Sequence, residues 1–292
     1  MAGDGSRIIT LSSGHHVWTR RVGGAGAGIL LLHGGPGCTH ECFECFEAHL
    51  PAAGIGFHYY DQLGSYYSDQ PEDSSLWTLE RFREEVEEVR TALGLDDFIL
   101  YGQSWGGMLA IEYALKYQAH LRGLVISNMT ASIPAYVRHI NELRERMAPA
   151  VVAMMKRCEA EGRFDDPEYQ RQLMELYRRH ICRLDPWPDA MVRTFAHMAA
   201  PVYNAMQGNN EFVVTGTFAE WDRWEHIRRI RVPTLLLVGR HDTMRVADIE
   251  EMGRRIPQAK VAVLENGSHC AMWDDEAAYF AHLLAYLRER GN

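Results

Sequence analysis

Residues 98–117 read FILYGQSWGGMLAIEYALKY: an apolar run, then three glycines within six residues, then an amphipathic run. Glycine weakens both strands and helices, so a cluster of them marks a backbone under a special demand. The spacing Gly102-Gln103-Ser104-Trp105-Gly106 is G-x-S-x-G set between a buried strand and a helix. In that context the turn holds Ser104 in a strained conformation, and its small flanking residues let neighbouring segments pass close by. The hydroxyl is left exposed at the start of the helix, whose dipole favours developing negative charge.

The rest of the chain repeats the strand–helix rhythm. Residues 7–22 alternate apolar and polar around Ser-Ser-Gly and predict a hairpin. Short apolar runs at 29–32, 57–61, 121–127, 234–239 and 259–264 predict buried strands. Thr78 is a predicted N-cap and Gly94 a predicted terminator of the helix between them. Helices then follow Ser104, the strand at 234–239 and, from about Asp274, the last strand. Such alternation indicates an α/β protein with a mostly parallel central sheet and helices on both faces. Between residues 131 and 215 the rhythm stops. No convincing strand is read there, only Met-, Arg- and Glu-rich helical stretches interrupted by Pro149, Pro167, Pro186, Pro188 and Pro201. The expected division is a core of 1–130 and 216–292 carrying a helical insertion at 131–215.

Charge and composition narrow the classes. A net charge of −9 without a basic face argues against a nucleic-acid partner. No apolar run approaches the ~20 residues of a membrane span, and residues 1–18 lack the charged start and apolar stretch of an export signal. A cytoplasmic location is therefore expected. Six cysteines in 292 residues do not make a disulfide framework. Cys38, Cys42 and Cys45 have a C-x3-C-x2-C spacing that iron–sulfur enzymes also use. They fall at the start of a short helix after a glycine turn, and packed thiols are the expected reading.

A serine nucleophile needs a base, and the base needs a group to orient it. In this architecture the acid and then the histidine follow the serine, each just after a late strand. Asp242 and His269 occupy those positions. His241 adjoins the acid and would have to point away from it, while Asp248 falls inside the next helix, where solvent is expected. Two backbone N–H groups should meet the developing oxyanion. One belongs to Trp105. The other is expected from Gly35 in the loop HGGPG, residues 33–37, after the strand at 29–32.

The segments HGGPG, YYDQLGSYYSD, GQSWGG, GRHD and SHCAMWDD together resemble the proline iminopeptidase family of α/β-hydrolases, of the tricorn-interacting aminopeptidase type, across nearly the whole chain. The resemblance implies a serine aminopeptidase that releases an N-terminal residue, proline or another apolar one, from short peptides, amides or arylamides. It also implies that the insertion caps the site, that small peptides or amides are the partners, and that no metal or organic cofactor is required. Glu211, in GNNEF, matches the family's carboxylate for the substrate ammonium. A second carboxylate normally follows the catalytic aspartate, but Thr243 stands there, and Asp185 and Glu220 are the candidates to replace it. Tyr66 replaces the second glycine of the family's D-Q-x-G-x-G loop. With Tyr67, Trp105, Tyr203 and Phe212, Tyr66 is expected to line an apolar substrate pocket. Thr243 keeps open an amidase or esterase acting through the same triad on an amino-acid amide or a non-peptide substrate. A non-catalytic protein on this fold would be expected to lack a member of the triad, and a dehalogenase would need a carboxylate at position 104.

Overall fold

The computed structural model describes residues 5–24 and 28–291. Residues 1–4, part of the stretch read for an export signal, lie outside the described residues. The chain runs through β1 (Gly5–Thr10), β2 (His16–Val22), β3 (Ile29–Leu32), α1 (Phe46–His49), β4 (Phe57–Asp61), α2 (Leu79–Leu93), β5 (Phe98–Gln103), α3 (Trp105–Tyr117) and β6 (Leu121–Ser127). Five helices follow: α4 (Ile133–Arg144), α5 (Pro149–Ala160), α6 (Pro167–His180), α7 (Asp189–Ala196) and α8 (Ala200–Met206). The remainder is β7 (Gly208–Asn210), β8 (Val213–Val214), β9 (Thr234–Gly239), α9 (Val246–Arg255), β10 (Ala259–Leu264), α10 (Ala271–Asp274) and α11 (Glu276–Glu289).

Eight strands form one sheet in the order β1-β2-β4-β3-β5-β6-β9-β10. The β1/β2 hairpin joins antiparallel through β2 to β4, and every pairing from β4 to β10 is parallel. Each central strand is apolar on both faces. Leu30 and Leu32 enter one core layer, with Leu100, Ile126 and Leu236, while Ile29 and Leu31 enter the other, with Tyr101, Val125 and Leu237. The two-residue period of a strand thus distributes a continuous apolar run between two layers of helices. The first layer takes Phe82 and Val86 of α2 and Met252 of α9. The second takes Phe46 of α1 and Tyr279, Phe280 and Leu283 of α11.

Local signals placed several ends accurately. The Thr78 hydroxyl accepts from the Arg81 N–H, and Gly94 closes α2 at φ 67°. The prolines of the insertion begin helices more than they break them, with Pro149 and Pro167 opening α5 and α6. Proline suits the first helical turn because that N–H has no intrahelical partner. One expectation was wrong. Residues 131–215 do contain strands, the two-stranded ribbon of β7 and β8. At three and two residues they are too short to display alternation.

The helical segment is pinned over the carboxyl edge of the sheet. Arg193 of α7 pairs with Glu41 and Glu44, and His197 donates to the same Glu41. At the end of α6, the carbonyls of His180 and Ile181 accept the backbone N–H groups of His269 and Cys270. Terminal carbonyls that the helix cannot satisfy itself are satisfied by the loop after β10. No helix among the described residues is long and apolar enough to cross a membrane.

Candidate active site

Ser104 sits between β5 and α3 at φ 55°, a left-handed conformation that a side-chain-bearing residue rarely adopts. Its neighbours explain why the turn is rich in glycine. A Cβ at Gly102 would lie 2.0 Å from the Gly106 carbonyl oxygen, and one at Gly106 would lie 2.0 Å from that of Leu32. Any side chain at either position would push the serine out of place. The backbone is held independently of the side chain, since the Ser104 N–H donates to Ser127 and its carbonyl accepts from Gly107 and Met108.

Ser104 Oγ lies 2.9 Å from His269 Nε2, and His269 Nδ1 lies 2.8 Å from Asp242 Oδ1. A carboxylate only accepts, so Nδ1 carries the proton and Nε2 faces the serine with its lone pair. Both partners are buried. Asp242 is held further by the Met244 N–H, the Thr243 hydroxyl and Asn128 Nδ2, the last at 2.6 Å. Gln103 Nε2 donates to the His269 carbonyl. Burial works against charging His269, yet the Asp242 carboxylate and its hydrogen bond, with Glu211 and Asp274 farther off, outweigh it and raise the imidazole pKa.

A cavity of about 220 Å³ opens onto Ser104 and His269, with Gly34, Gly35, Tyr177, Tyr203 and Glu211 in its wall. A smaller adjoining void, lined by Trp105, Met129 and Phe218, shares Ser104, Gly35 and Glu211 with it. The cavity is below the roughly 300–1,000 Å³ of pockets for drug-sized ligands, which suits one residue and part of the next. Apolar side chains from the helical segment, including Leu173, Met191 and Phe195, form its far wall. Glu211 is the one carboxylate among the described residues of that wall. It accepts from the Tyr203 hydroxyl at 2.8 Å and from the Tyr136 hydroxyl. Burial, and then the Glu211 charge, push both phenol pKa values well up, so both hydroxyls stay protonated donors.

Several expected residues lie elsewhere. Tyr66 is 53% exposed and stacks on His197 at 3.9 Å, away from the cavity. Its loop is closed by Gly64 N–H to the Asp69 carbonyl, which turns the tip outward. Tyr67 is also exposed and donates to Glu41. Phe212 is buried with Thr243 against a separate small void, under the Arg144 guanidinium. Glu211 and Phe212 form the turn between β7 and β8, where Asn210 Oδ1 accepts from the Phe212 and Val213 N–H groups. Asp185 and Glu220 are exposed and do not line the cavity. Asp248 is half-buried, with a carboxyl pKa raised by burial, where solvent was expected. Cys38 and Cys42 line the cavity and Cys45 packs in a core layer, all as free thiols. Burial, followed by the charges of Glu211 and Asp61, pushes Cys38 up to about 12, and burial also raises the other two. Protonated thiols are poor ligands and poor nucleophiles.

Asn128 and Tyr136 were missed at the sequence level. Asn128 follows the apolar run of β6, and a polar residue at the carboxyl end of a parallel strand is the signal that would have found it. Tyr136 lies inside α4 and has no such signal.

An eight-stranded sheet with a serine at the turn after β5, and an acid and a histidine after β9 and β10, defines an α/β-hydrolase. The chain matches the alpha/beta hydrolase fold family over residues 29–276. It is 43% identical to a proline iminopeptidase of Flavobacterium johnsoniae over 94% of each chain. It is similar in structure to a proline iminopeptidase of Mycobacterium smegmatis, with a TM-score of 0.90, 30% identity and 98% of each chain covered. It is also similar to VinJ, with a TM-score of 0.93, 33% identity and 98% of each chain covered. The protein belongs to the proline iminopeptidase family of α/β-hydrolases.

Proposed function

We propose that the protein is a serine aminopeptidase releasing N-terminal proline, or another compact apolar residue, from short peptides, amides or arylamides. The observation that carries this reading is that Glu211, braced by two tyrosine hydroxyls, lines the same cavity as Ser104 and His269 of the relay to Asp242. The relatives' names support the same activity. A buried ammonium needs a carboxylate partner to offset its desolvation. Two of the roughly four lone-pair sites of Glu211 take the tyrosine hydroxyls, and the others serve the substrate amine.

In the proposed reaction His269 Nε2 takes the Ser104 proton as Oγ attacks the carbonyl carbon. The N–H groups of Gly35 and Trp105 receive the oxyanion. His269 then protonates the leaving amine, and water hydrolyses the acyl-enzyme by the same relay. The segment 131–215 acts as the cap that limits substrate length. We place the enzyme in the reducing cytoplasm, in keeping with six buried free thiols.

The test is a matched set of prolyl and alanyl arylamides with their N-acetyl counterparts. Glu211→Gln is expected to raise KM for the free amines by about tenfold or more, in line with the loss of a buried charge partner. The acetylated compounds should change little. An equal effect on both sets would remove the ammonium anchor and leave an amidase or esterase.

The acid limb of activity should follow His269. Its raised pKa means the base form appears only above the ordinary histidine value of about 6.5. Because Glu211 contributes to that rise, an ammonium paired with it should relieve part of the shift. The limb in kcat/KM, which reports free enzyme, is therefore expected at higher pH than the limb in kcat, which reports the complex. Glu211→Gln should bring the two together, and two limbs that coincide in the wild type would refute the coupling.

A further inference from the structure

We propose that Gln62, working with His33, is a positioning residue that aims both oxyanion donors at once; this rests on the roles proposed above for Gly35 and Trp105. Neither Gln62 nor His33 lines the cavity, and both are fully buried. Their hydrogen bonds run from the loop after β3 to the first residue of α3.

The partners fix the chemistry of each link. His33 Nδ1 lies 2.9 Å from the Gly34 carbonyl, which only accepts, so Nδ1 bears the proton. His33 Nε2 lies 3.1 Å from the Gln62 backbone N–H, which only donates, so Nε2 presents its lone pair. Burial favours the neutral ring that this pattern requires. The Gly34 carbonyl and the Gly35 N–H are opposite ends of one planar peptide. Holding the oxygen on His33 therefore directs the N–H the other way, and Gly35 forms part of the cavity wall beside Ser104.

The Gln62 side chain joins this loop to the other donor. Its Nε2 donates to the His33 carbonyl at 3.2 Å, and its Oε1 accepts from Trp105 Nε1 at 2.8 Å. The indole N–H only donates and the carbonyl only accepts, so the amide has one orientation that satisfies both. One side chain thus ties Trp105 directly to His33, and His33 in turn holds the Gly34–Gly35 peptide. The clamp also explains why a glutamine follows Asp61 in the loop and why a tryptophan, with a donor on its ring, follows Ser104.

An oxyanion donor is felt in the transition state and little in the ground state, which separates positioning from general damage. The experiment compares wild type with Gln62→Met, which removes both side-chain links and keeps the Gln62 backbone N–H bond to His33. Gln62→Glu serves as the second variant, keeping an acceptor for Trp105 while setting a carboxylate oxygen against the His33 carbonyl in a fully buried site. Three quantities are measured for each: kcat/KM on a prolyl arylamide, Ki for free proline, and Ki for the boronic acid analogue of proline. In the last, Ser104 Oγ adds to boron, its proton passes to His269, and the tetrahedral boronate places a hydroxyl where the oxyanion forms.

Loss of one oxyanion donor costs about 10²–10³-fold, and a misaimed pair should cost about 10–100-fold. We expect kcat/KM and boronate affinity to fall together by that factor in Gln62→Met, and by at least as much in Gln62→Glu. Proline Ki should stay within about twofold, since proline is held by Glu211. Boronate affinity unchanged in either variant while kcat/KM falls, or equal losses for boronate and proline, would overturn the proposal. If the wild type binds the boronate no more tightly than proline, the serine mechanism itself fails and the clamp falls with it.

Discussion

Ser104→Ala is expected to lower kcat by roughly 10⁴–10⁶-fold while leaving the fold intact, as loss of the nucleophile does in triad enzymes. The Ser104 backbone accounts for the second half of that expectation. Its N–H and carbonyl bonds to Ser127, Gly107 and Met108 do not involve the side chain. The hydroxyl contacts His269 at 2.9 Å. The left-handed φ of 55° is as strained for alanine as for serine, so the substitution neither relieves nor adds backbone strain. Thermal unfolding and turnover measured on one preparation would check both halves. Turnover within tenfold of wild type would sink the proposed mechanism, and a collapsed Tm would leave the activity loss without its chemical meaning.

Asp242→Asn should cost nearly as much, about 10⁴-fold in kcat, for a different reason. Asp242 Oδ1 accepts from His269, Met244 and Thr243, and Oδ2 accepts from Asn128. Every one of these neighbours supplies a donor. A side-chain amide offers one oxygen and one NH₂, so at least one donor must face another. If the NH₂ faces His269, the ring adopts the tautomer with its proton on Nε2 and cannot accept from Ser104. If it faces Asn128 instead, a bond of 2.6 Å becomes a repulsive contact and the acid shifts. A kcat loss below tenfold would show that His269 is oriented by something other than Asp242.

Much of the site can be read from the chain alone. Ser104, Asp242 and His269 each stand just after an apolar run, because a parallel sheet brings the carboxyl ends of its strands to one edge. The Gly-rich loop before Cys38 and the turn at Ser104 are legible because close backbone approach excludes side chains. What could not be read are contacts set by packing direction. Tyr66 and Phe212 are aromatic residues beside functional motifs, yet one faces solvent and the other a separate void. Tyr136 is an ordinary apolar position of α4 in the sequence, but it comes to rest against Glu211.

Short-range pattern is enough to settle the class of sheet, the strand ends that carry the reacting groups, and the order of serine, acid and histidine. Those depend on local periodicity and on glycine sterics, both of which act over a few residues. Packing in three dimensions is what braces Glu211 with Tyr136 and Tyr203, sets Asn128 against the acid, and lets Gln62 reach both His33 and Trp105. These contacts join residues of different elements, and a hydrogen bond of 2.6–3.2 Å exists only once packing has brought both partners to a common point.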